Sequence, residues 1–192
     1  MRTRDLTRVL AVVAITFALA LAMVVILPSS ASLAACAGAP AATQPVVVAQ
    51  GPMRPLLVPG DVVAVTKVAP SDVRRGEVVA FDPGGWPPVD LPDAAVVMRV
   101  IAVGNDEVDL QGGRVFVNAT ELVEPYVFDG EATGPISDGV SGWYVPAGEV
   151  FVLGDHRSIA VDSRFRGPLP ATSIIGIAVY RCEPVEHRGP IG

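Results

Sequence analysis

Short runs of valine-rich and isoleucine-rich sequence, separated by turn-forming residues, dominate the chain after residue 50. Branched aliphatic residues in runs of this length favour strands over helices. Glycine, proline, aspartate and asparagine fill the gaps between the runs, as is typical of turns. The pattern predicts strands at Val62–Val68, Glu77–Phe81, Val96–Val103, Glu107–Leu110, Arg114–Val117, Glu149–Leu153 and Ile174–Arg181, with a hairpin at Gln111–Gly113. We therefore predict an all-β or β-dominated domain, folded as a coiled β-barrel.

One N-terminal segment has a different pattern. Val9–Leu27 carries no charged residue, and as a helix it would be roughly 28 Å long, close to the thickness of the hydrocarbon core of a membrane. Arg2, Arg4 and Arg8 precede it, which favours a cytoplasmic N-terminus. The pattern predicts one transmembrane helix at the cell membrane, followed by an extracytoplasmic domain.

The composition narrows the possible classes of function. The 192 residues are 51% hydrophobic, 18% charged and 6% aromatic, so aliphatic side chains must build the core. The 19 glycines and 18 prolines argue against a helical bundle. A net charge of −6 is unfavourable for nucleic-acid binding. No group of His, Cys, Asp or Glu has metal-ligand spacing, so we predict neither a metal nor another cofactor.

The predicted organisation has five parts. Residues 1–8 form a basic cytoplasmic tail, residues 9–27 a membrane anchor or signal segment, and residues 28–50 an Ala/Pro-rich linker. Residues 51–183 form the extracytoplasmic β domain, and residues 184–192 form a tail.

The first cysteine leaves two alternatives open for the N-terminal segment. Leu33–Cys36 (LAAC) is similar to a bacterial lipobox, in which Cys36 would be acylated and become the new N-terminus, so the segment is either a retained anchor or a lipoprotein signal. An exported protein can also join Cys36 to Cys182. Because Cys36 lies in the predicted linker, we favour two unpaired cysteines.

Three blocks of residues resemble the motifs of a known family. They are Gln50–Asp61 (QGPMRPLLVPGD), Met98–Ile101 (MRVI) with the turn at Gly104–Asp106, and Gly154–Arg164 (GDHRSIAVDSR). Their order, spacing and position behind an N-terminal apolar segment resemble the type I signal peptidases, or leader peptidases, of the bacterial single-anchor type. The resemblance extends over residues 46–181 and includes Val117–Ala119 and Glu124–Tyr126.

The resemblance implies a coiled β-barrel fold and a role in protein secretion. Members of the family cleave signal peptides at the outer face of the membrane. Their nucleophile is a serine, their general base is a neutral lysine, and a second serine orients that lysine. Backbone N–H groups, together with a further serine, stabilise the oxyanion.

This chain departs from the family at each of those positions. Pro52 stands at the position of the nucleophile, Met98 at that of the base, Ala160 at that of the orienting serine and Gln50 at that of the oxyanion serine. Proline also lacks a backbone N–H. The one lysine, Lys67, lies on the first predicted strand of the domain, where the family commonly has a non-catalytic lysine. The resemblance therefore implies a member without an intact catalytic residue.

The other family positions are retained. They are Met53, Pro55, Gly60, Asp61, Arg99, Gly154, Asp155, Arg157, Asp162, Ser163 and Arg164. Arg99 follows Met98 on a strand, so the two side chains lie on opposite faces. We expect Arg99 to pair with Asp162, with Arg164 joining them.

The third block contains one possible substitute for the catalytic pair. His156 lies near Ser158 and Ser163 in the third block, and a histidine beside a serine would imitate a catalytic dyad. We favour the simpler interpretation that these are surface groups of a turn.

The function hypothesis is a tethered, catalytically inactive relative of signal peptidase. Its groove would bind an extended exported or signal peptide by strand addition, or the protein would modulate an active signal peptidase. An active peptidase that uses other residues is the enzymatic alternative. A cell-envelope structural protein that reuses the fold is the third.

Overall fold

A computed structural model describes residues 36–85, 95–134 and 139–191 of the chain. Within these ranges strands dominate, which confirms the predicted class. The strands are β1 (Thr43–Val47), β2 (Val62–Thr66), β3 (Val78–Phe81), β4 (Val96–Val103), β5 (Glu107–Gln111), β6 (Arg114–Val117), β7 (Thr120–Glu121), β8 (Gly142–Tyr144), β9 (Glu149–Leu153), β10 (Leu169–Pro170), β11 (Ile174–Glu183) and β12 (Gly189–Pro190). The helix α1 (Ser163–Arg166) and 3₁₀ turns at Pro70–Asp72, Pro83–Gly85, Phe128–Gly130, Ala171–Ser173 and Val185–His187 connect them.

The larger sheet is antiparallel and curled. Its strand order is β1-β2-β11-β3-β4-β9-β10, and β12 pairs with β11. Register shifts interrupt the pairing of β11 with β2, between Ala178 and Tyr180, and of β4 with β9, between Val100 and Ala102. Irregularities of this kind bend a strand and increase its twist. The predicted coiled β-barrel is therefore confirmed in part, because the described residues form a strand-dominated, curled half-barrel.

The smaller sheet consists of short hairpins in the order β7-β6-β5-β8. Gly112 and Gly113 join β5 to β6 with φ values of 58° and 83°. Two positive φ values in a two-residue loop define the turn that matches the twist of a hairpin, and glycine adopts them without strain. The hairpin predicted at Gln111–Gly113 is therefore present.

Strands β4 and β9 separate two hydrophobic cores. Val100 and Val152 face the core inside the larger sheet, whereas Ile101, Phe151 and Leu153 face the core under the smaller sheet. Each fully buried aliphatic or aromatic side chain of this kind contributes about 1.5–3 kcal/mol. Burial on both faces explains why β4 has a continuous apolar run except at Arg99.

The structure corrects the boundaries predicted for the linker and the tail. Thr43–Val47 forms β1 and pairs with β2, and the next residue, Val48, is buried. The tail contributes Gly189–Pro190 as β12 beside β11. Short apolar segments that find a partner strand bury side chains and satisfy their backbone groups, which a linker composition does not reveal.

The structure also corrects the prediction of unpaired cysteines. Cys36 and Cys182 form a disulfide, with a Cα–Cα distance of 4.5 Å. The prediction failed because the segment that follows Cys36 is folded against the sheet instead of forming a free linker. A sulfur atom in a disulfide does not carry a thioether-linked lipid, so this pairing is incompatible with the lipobox alternative at Cys36.

The predicted membrane span at residues 9–27 lies outside the described residues. Among the helices of the described ranges, none has the length and apolar character needed to cross a membrane.

Candidate functional site

The first block forms a compact turn between β1 and β2. Met53 and Leu57 are fully buried in the core inside the larger sheet, which we call the main core. The N–H of Leu57 donates to the carbonyl oxygen of Met53 at 2.8 Å. These contacts hold Pro52, which is itself buried, at the edge of the core. The carbonyl oxygen of Pro52 accepts a hydrogen bond from the backbone N–H of His156 at 2.8 Å. The first and third blocks are therefore joined through Pro52.

The second block places Met98 and Arg99 on opposite faces of β4, as predicted. Met98 is 3% exposed and belongs to the main core. Arg99 is opposite Leu153 in the antiparallel register. Continuing that register by one residue places Met98 alongside Gly154, at the start of the third block.

Gly154 lies at the centre of the site because no side chain fits there. A Cβ atom at Gly154 would lie 2.5 Å from the Cβ of Ala160 and 2.7 Å from the carbonyl oxygen of Pro52. The structure therefore brings Pro52 and Ala160 together around Gly154, with Met98 in the neighbouring strand. Gln50, which stands at the position of the oxyanion serine, is exposed.

A cleft runs beside these residues, lined by Gln50, Pro52 and the start of β4. Its volume is about 10 Å³ among the described residues, which is close to the space needed for a single water molecule. Its walls are apolar or backbone groups apart from the side chain of Gln50. The arrangement provides a buried apolar surface and an exposed amide, but no side chain that accepts a proton near neutral pH.

His156 and Ser158 do not form a dyad. Both approach the carboxylate of Glu131, at 3.3 Å from His156 Nε2 and 2.6 Å from Ser158 Oγ. In a catalytic triad the imidazole lies between the serine and the carboxylate, whereas here the carboxylate lies between the serine and the imidazole. The ring of His156 also packs against that of Phe128 in a tilted arrangement, with centroids 4.3 Å apart. Ser163 is fully buried, and its hydroxyl accepts from the N–H of Val152.

Arg99 pairs with Asp155 and not with Asp162, so the predicted pairing is wrong. Its Nε and Nη2 donate to the two carboxylate oxygens of Asp155 at 2.9 and 2.8 Å. Both side chains are almost fully buried, and the ring of Tyr126 covers the guanidinium at 4.0 Å. The error arises because Asp162 serves another role, as the N-cap of α1.

Asp162 and Arg164 form a separate local unit. Asp162 accepts from the backbone N–H of Arg164 at 3.1 Å, as expected of a helix N-cap. Its carboxylate also accepts from the guanidinium of Arg164 and from the N–H of Gly154 at 3.2 Å. Arg164 Nη2 donates to the carbonyl oxygen of Arg157. The unit thus closes the turn that carries Ala160.

Arg157 connects the third block to a segment that runs over it. Its Nε donates to the carbonyl oxygen of Gly154 at 2.8 Å, and its guanidinium pairs with Glu124. It also contacts the hydroxyl of Thr133. The family resemblance includes the segment of Glu124 but neither Thr133 nor Glu131. The one signal for these two residues was the acidic and polar character of a loop without strand periodicity.

The electrostatic environment explains three pKa shifts. Burial raises the pKa of Asp155, and the guanidinium of Arg99 opposes that rise. Burial and the nearby carboxylate of Glu124 raise the pKa of Tyr126, whose hydroxyl donates to that carboxylate. For Glu131, burial raises the pKa, but hydrogen bonds from Ser158 outweigh it and lower the pKa overall.

The described residues contain no group of three or more His, Cys, Asp or Glu side chains placed to hold a metal ion. Arg157, Arg164 and Arg99 instead neutralise the buried carboxylates.

Comparisons with known proteins find the same family that the three blocks resemble. The family model "Signal peptidase, peptidase S26" matches residues 8–182. Signal peptidase I of Leptolyngbya laminosa is 36% identical over 121 residues, covering 62% of this chain and 57% of that protein. Probable signal peptidase I-1 of Synechocystis sp. is 34% identical over 146 residues, covering 73% and 71%. Thylakoidal processing peptidase 1 of Arabidopsis thaliana is 38% identical over 88 residues, covering 46% and 24%.

The chain thus spans between a quarter and about seven tenths of the length of these curated relatives. A crystal structure of a signal peptidase I from Enterococcus faecalis shares 24% identity with a TM-score of 0.43, covering 55% of this chain and 96% of that one. The family match extends over most of the chain and includes all three blocks. This chain belongs to the signal peptidase family, peptidase S26.

Proposed function

We propose that this chain is a membrane-tethered, extracytoplasmic member of the family that does not hydrolyse peptides by the serine–lysine mechanism and instead binds exported or signal peptides. One observation carries the proposal. Pro52 and Ala160 meet around Gly154, with Met98 alongside, at the positions where the family has its nucleophile, orienting serine and base.

The chemistry of these side chains supports the absence of hydrolysis. Acyl transfer needs a nucleophile that an adjacent base deprotonates. Proline has no nucleophilic side chain, and the thioether of Met98 does not take up a proton at neutral pH. Proline also lacks the backbone N–H that would stabilise the developing oxyanion.

The described residues offer no replacement for the missing pair. Lys67 is exposed just beyond the end of β2, whereas Pro52 and Met98 are buried. Ser158 donates to Glu131, and Ser163 is buried against β9.

The motif residues that this chain shares with the family support a binding role. Random loss of the motifs would have removed these residues as well. Arg99, Asp155, Asp162 and Arg164 all keep their charges and are paired in the structure. These pairs preserve the geometry of the turn beside Pro52, although no catalytic side chain remains there. A protein that binds peptides without cleaving them needs an intact fold but no catalytic side chain.

The disulfide supports the proposed location. Disulfides form and persist in oxidising compartments and are rare in the cytosol. A bond between Cys36 and Cys182 is therefore consistent with a domain outside the cytoplasmic membrane, as the arginines before residue 9 predict. Protease added to intact spheroplasts should degrade the domain; protection until lysis would contradict this orientation.

A cleavage assay with the full chain and a preprotein tests the central proposal. The wild type should show no cleavage, beside an active signal peptidase as the positive control. Removing one catalytic group from a serine protease lowers turnover by about 10⁶-fold. The single variants Pro52→Ser and Met98→Lys should therefore stay inactive, because each lacks the other partner.

The triple variant Pro52→Ser, Met98→Lys, Ala160→Ser restores the nucleophile, the base, the orienting hydroxyl and the N–H at position 52. We expect weak cleavage after small residues. The buried position of Met98 would lower the pKa of a lysine there, as the mechanism requires. Cleavage by the wild type that persists in Pro52→Ala and Met98→Leu would contradict the proposal and favour an active peptidase that uses other residues.

A further inference from the structure

A second concave site lies at the other end of β4, which carries Met98, and of β9, which Gly154 follows. It is a groove of about 720 Å³ between the turn at Pro70–Arg75, the turn after β4 and the turn before β9. We call the site of Pro52, Met98 and Ala160 around Gly154 the inherited site. Val103 lies five residues beyond Met98, so the groove is about 16 Å from the inherited site along β4. We name it the mouth groove, because it opens at one end of the curled sheet. Cavities of about 300–1,000 Å³ at the mouths of barrels are common ligand sites.

The floor of the mouth groove is apolar. Val73, Val150 and Ala171 are 4%, 2% and 3% exposed, and Val103 completes the floor. The cleft beside Pro52 has a much smaller volume, about 10 Å³. A peptide side chain of the size of valine or leucine therefore finds room in the mouth groove and not in that cleft.

Three polar groups on the rim have unused hydrogen-bonding capacity. Arg74 Nη1 donates to the carbonyl oxygens of Ser71 and Val73, and within the described ranges its guanidinium contacts no carboxylate. The Asn105 side-chain oxygen accepts from the hydroxyl of Tyr144, which leaves its NH₂ group available. Glu149, which also lines the mouth groove, is half-buried.

Arg75 also lines the mouth groove but is already neutralised, since its guanidinium contacts both oxygens of Asp106. The available charge on that side is therefore that of Arg74.

These groups match the end of a peptide better than they match a fatty acid. A guanidinium pairs with a carboxylate, an amide NH₂ donates to a peptide carbonyl, and a carboxylate such as that of Glu149 accepts a peptide N–H. A fatty acid supplies the first of these partners but neither of the other two. Apolar side chains of the peptide would cover the floor.

We propose that the mouth groove, and not the inherited site, is where this chain binds peptide, and that it selects an apolar segment ending in a free carboxylate. The proposal rests on the peptide-binding role above and assigns that role to a different part of the domain. The carboxylate would pair with Arg74, with the preceding residues over Val103 and Val150.

The test uses the full chain in nanodiscs and a fluorescein-labelled peptide, Ala-Leu-Val-Ala-Leu-Ala, with a free or an amidated C-terminus. Fluorescence anisotropy should show the free acid binding about tenfold more tightly than the amide, because one charge-assisted contact is worth about that factor. Arg74→Gln should reduce the affinity for the acid to that for the amide. Ala147→Trp, at an exposed residue of the rim, should abolish binding of both peptides.

Two variants serve as matched controls. Arg114→Gln removes an exposed arginine of the smaller sheet that pairs with Glu121, and it should leave binding unchanged. Gln50→Trp blocks the cleft beside Pro52 and should also leave binding unchanged. Thermal unfolding of each variant verifies that the fold is intact.

Each other outcome has a defined meaning. Loss of binding in Gln50→Trp but not in Ala147→Trp would place the peptide at the inherited site, which overturns this inference and leaves the peptide-binding role standing. Equal affinity of Arg74→Gln and wild type for the free acid would overturn the carboxylate preference. Displacement of the peptide by dodecanoate at equal concentration would assign the groove to lipids. If the wild type binds neither peptide, both this inference and the proposed peptide-binding role fail.

Discussion

Two regions meet at β4, one on each face of the strand, and they differ in chemistry. On the face of Met98, the site consists of apolar residues packed around Gly154. On the face of Arg99, a buried arginine pairs with Asp155 under the ring of Tyr126. Met98 thus belongs to an apolar region, and its neighbour Arg99 belongs to a region rich in charged side chains.

The difference shows which charges the fold itself requires. Removing one partner of a buried ion pair leaves an uncompensated charge and costs about 3–5 kcal/mol. Exchanging one apolar side chain for another of similar volume usually costs less than about 1.5 kcal/mol. Changes in the charged region therefore threaten the fold, whereas apolar exchanges within the site cost little stability.

The largest effect should come from breaking the ion pair behind the site. Arg99→Ala should lower the free energy of unfolding by about 3–5 kcal/mol, because Asp155 remains buried without its partner. Urea denaturation of the full chain measures the loss. The double variant Arg99→Ala, Asp155→Ala should lose less than the sum of the two single variants.

Asp162 provides the control for that measurement. Asp162→Ala removes the N-cap of α1 and the partner of Arg164, but not a partner of Arg99. The coupling energy between Arg99 and Asp162 should therefore be smaller than that between Arg99 and Asp155. A coupling as large for Asp162 would contradict the pairing seen here.

Removal of the disulfide should cause the next largest loss of stability. Replacing Cys36 and Cys182 by alanine opens a covalent link across 146 residues, and we expect a loss of about 2–5 kcal/mol. Hydrogen exchange should show the loss of protection concentrated in β1 and its pairing with β2, since β1 follows Cys36 and lies at the edge of the sheet. Uniform loss of protection in β4 and β9 would show that the link stabilises the whole domain instead.

A partly exposed ion pair should have a smaller, pH-dependent effect. The carboxylate of Asp106 accepts from Arg75, from the N–H of Val103 and from Asn118. Burial raises its pKa, but these hydrogen bonds outweigh burial, so the pKa lies below its ordinary value of 3.8. Asp106→Asn should cost about 1–3 kcal/mol at neutral pH.

The sign of the pH dependence follows from that lowered pKa. The stabilisation by Asp106 is present above pH 3.8 and is lost as the pH falls through the lower pKa of the folded state. The difference in stability between wild type and Asp106→Asn should therefore shrink below about pH 4. A constant difference down to pH 2 would show that charge on Asp106 is not its source.

Sequence patterns predicted the strands that carry the blocks, because those strands have long apolar runs. They missed β1, β7, β8, β10 and β12, which are short or contain proline and owe their pairing to neighbouring strands. The family resemblance identified Pro52, Met98 and Ala160, and the structure places Pro52 and Ala160 in contact distance of Gly154.

The partners of the buried charges were harder to predict. The third block contains two candidate partners for Arg99, Asp155 and Asp162. The sequence alone does not show which of these carboxylates lies next to the arginine in the fold. Asp162 was the wrong choice because a carboxylate just before a short helix caps that helix. Likewise, an Ala-rich and Pro-rich composition near Cys36 indicated a linker, although a disulfide partner 146 residues away in sequence holds it.

The smallest effect should come from the site itself, and it is the sharpest test of the contrast across β4. Met98→Leu keeps the volume and apolar character of a side chain that is 3% exposed in the main core. We expect a loss of less than about 1.5 kcal/mol in the free energy of unfolding, and no change in peptide affinity at the mouth groove. Met53→Leu, fully buried in the same core, is the matched control and should behave alike. A loss above about 3 kcal/mol in Met98→Leu alone would mean that the thioether has a specific role, and the site would then not be the replaceable region that its chemistry indicates.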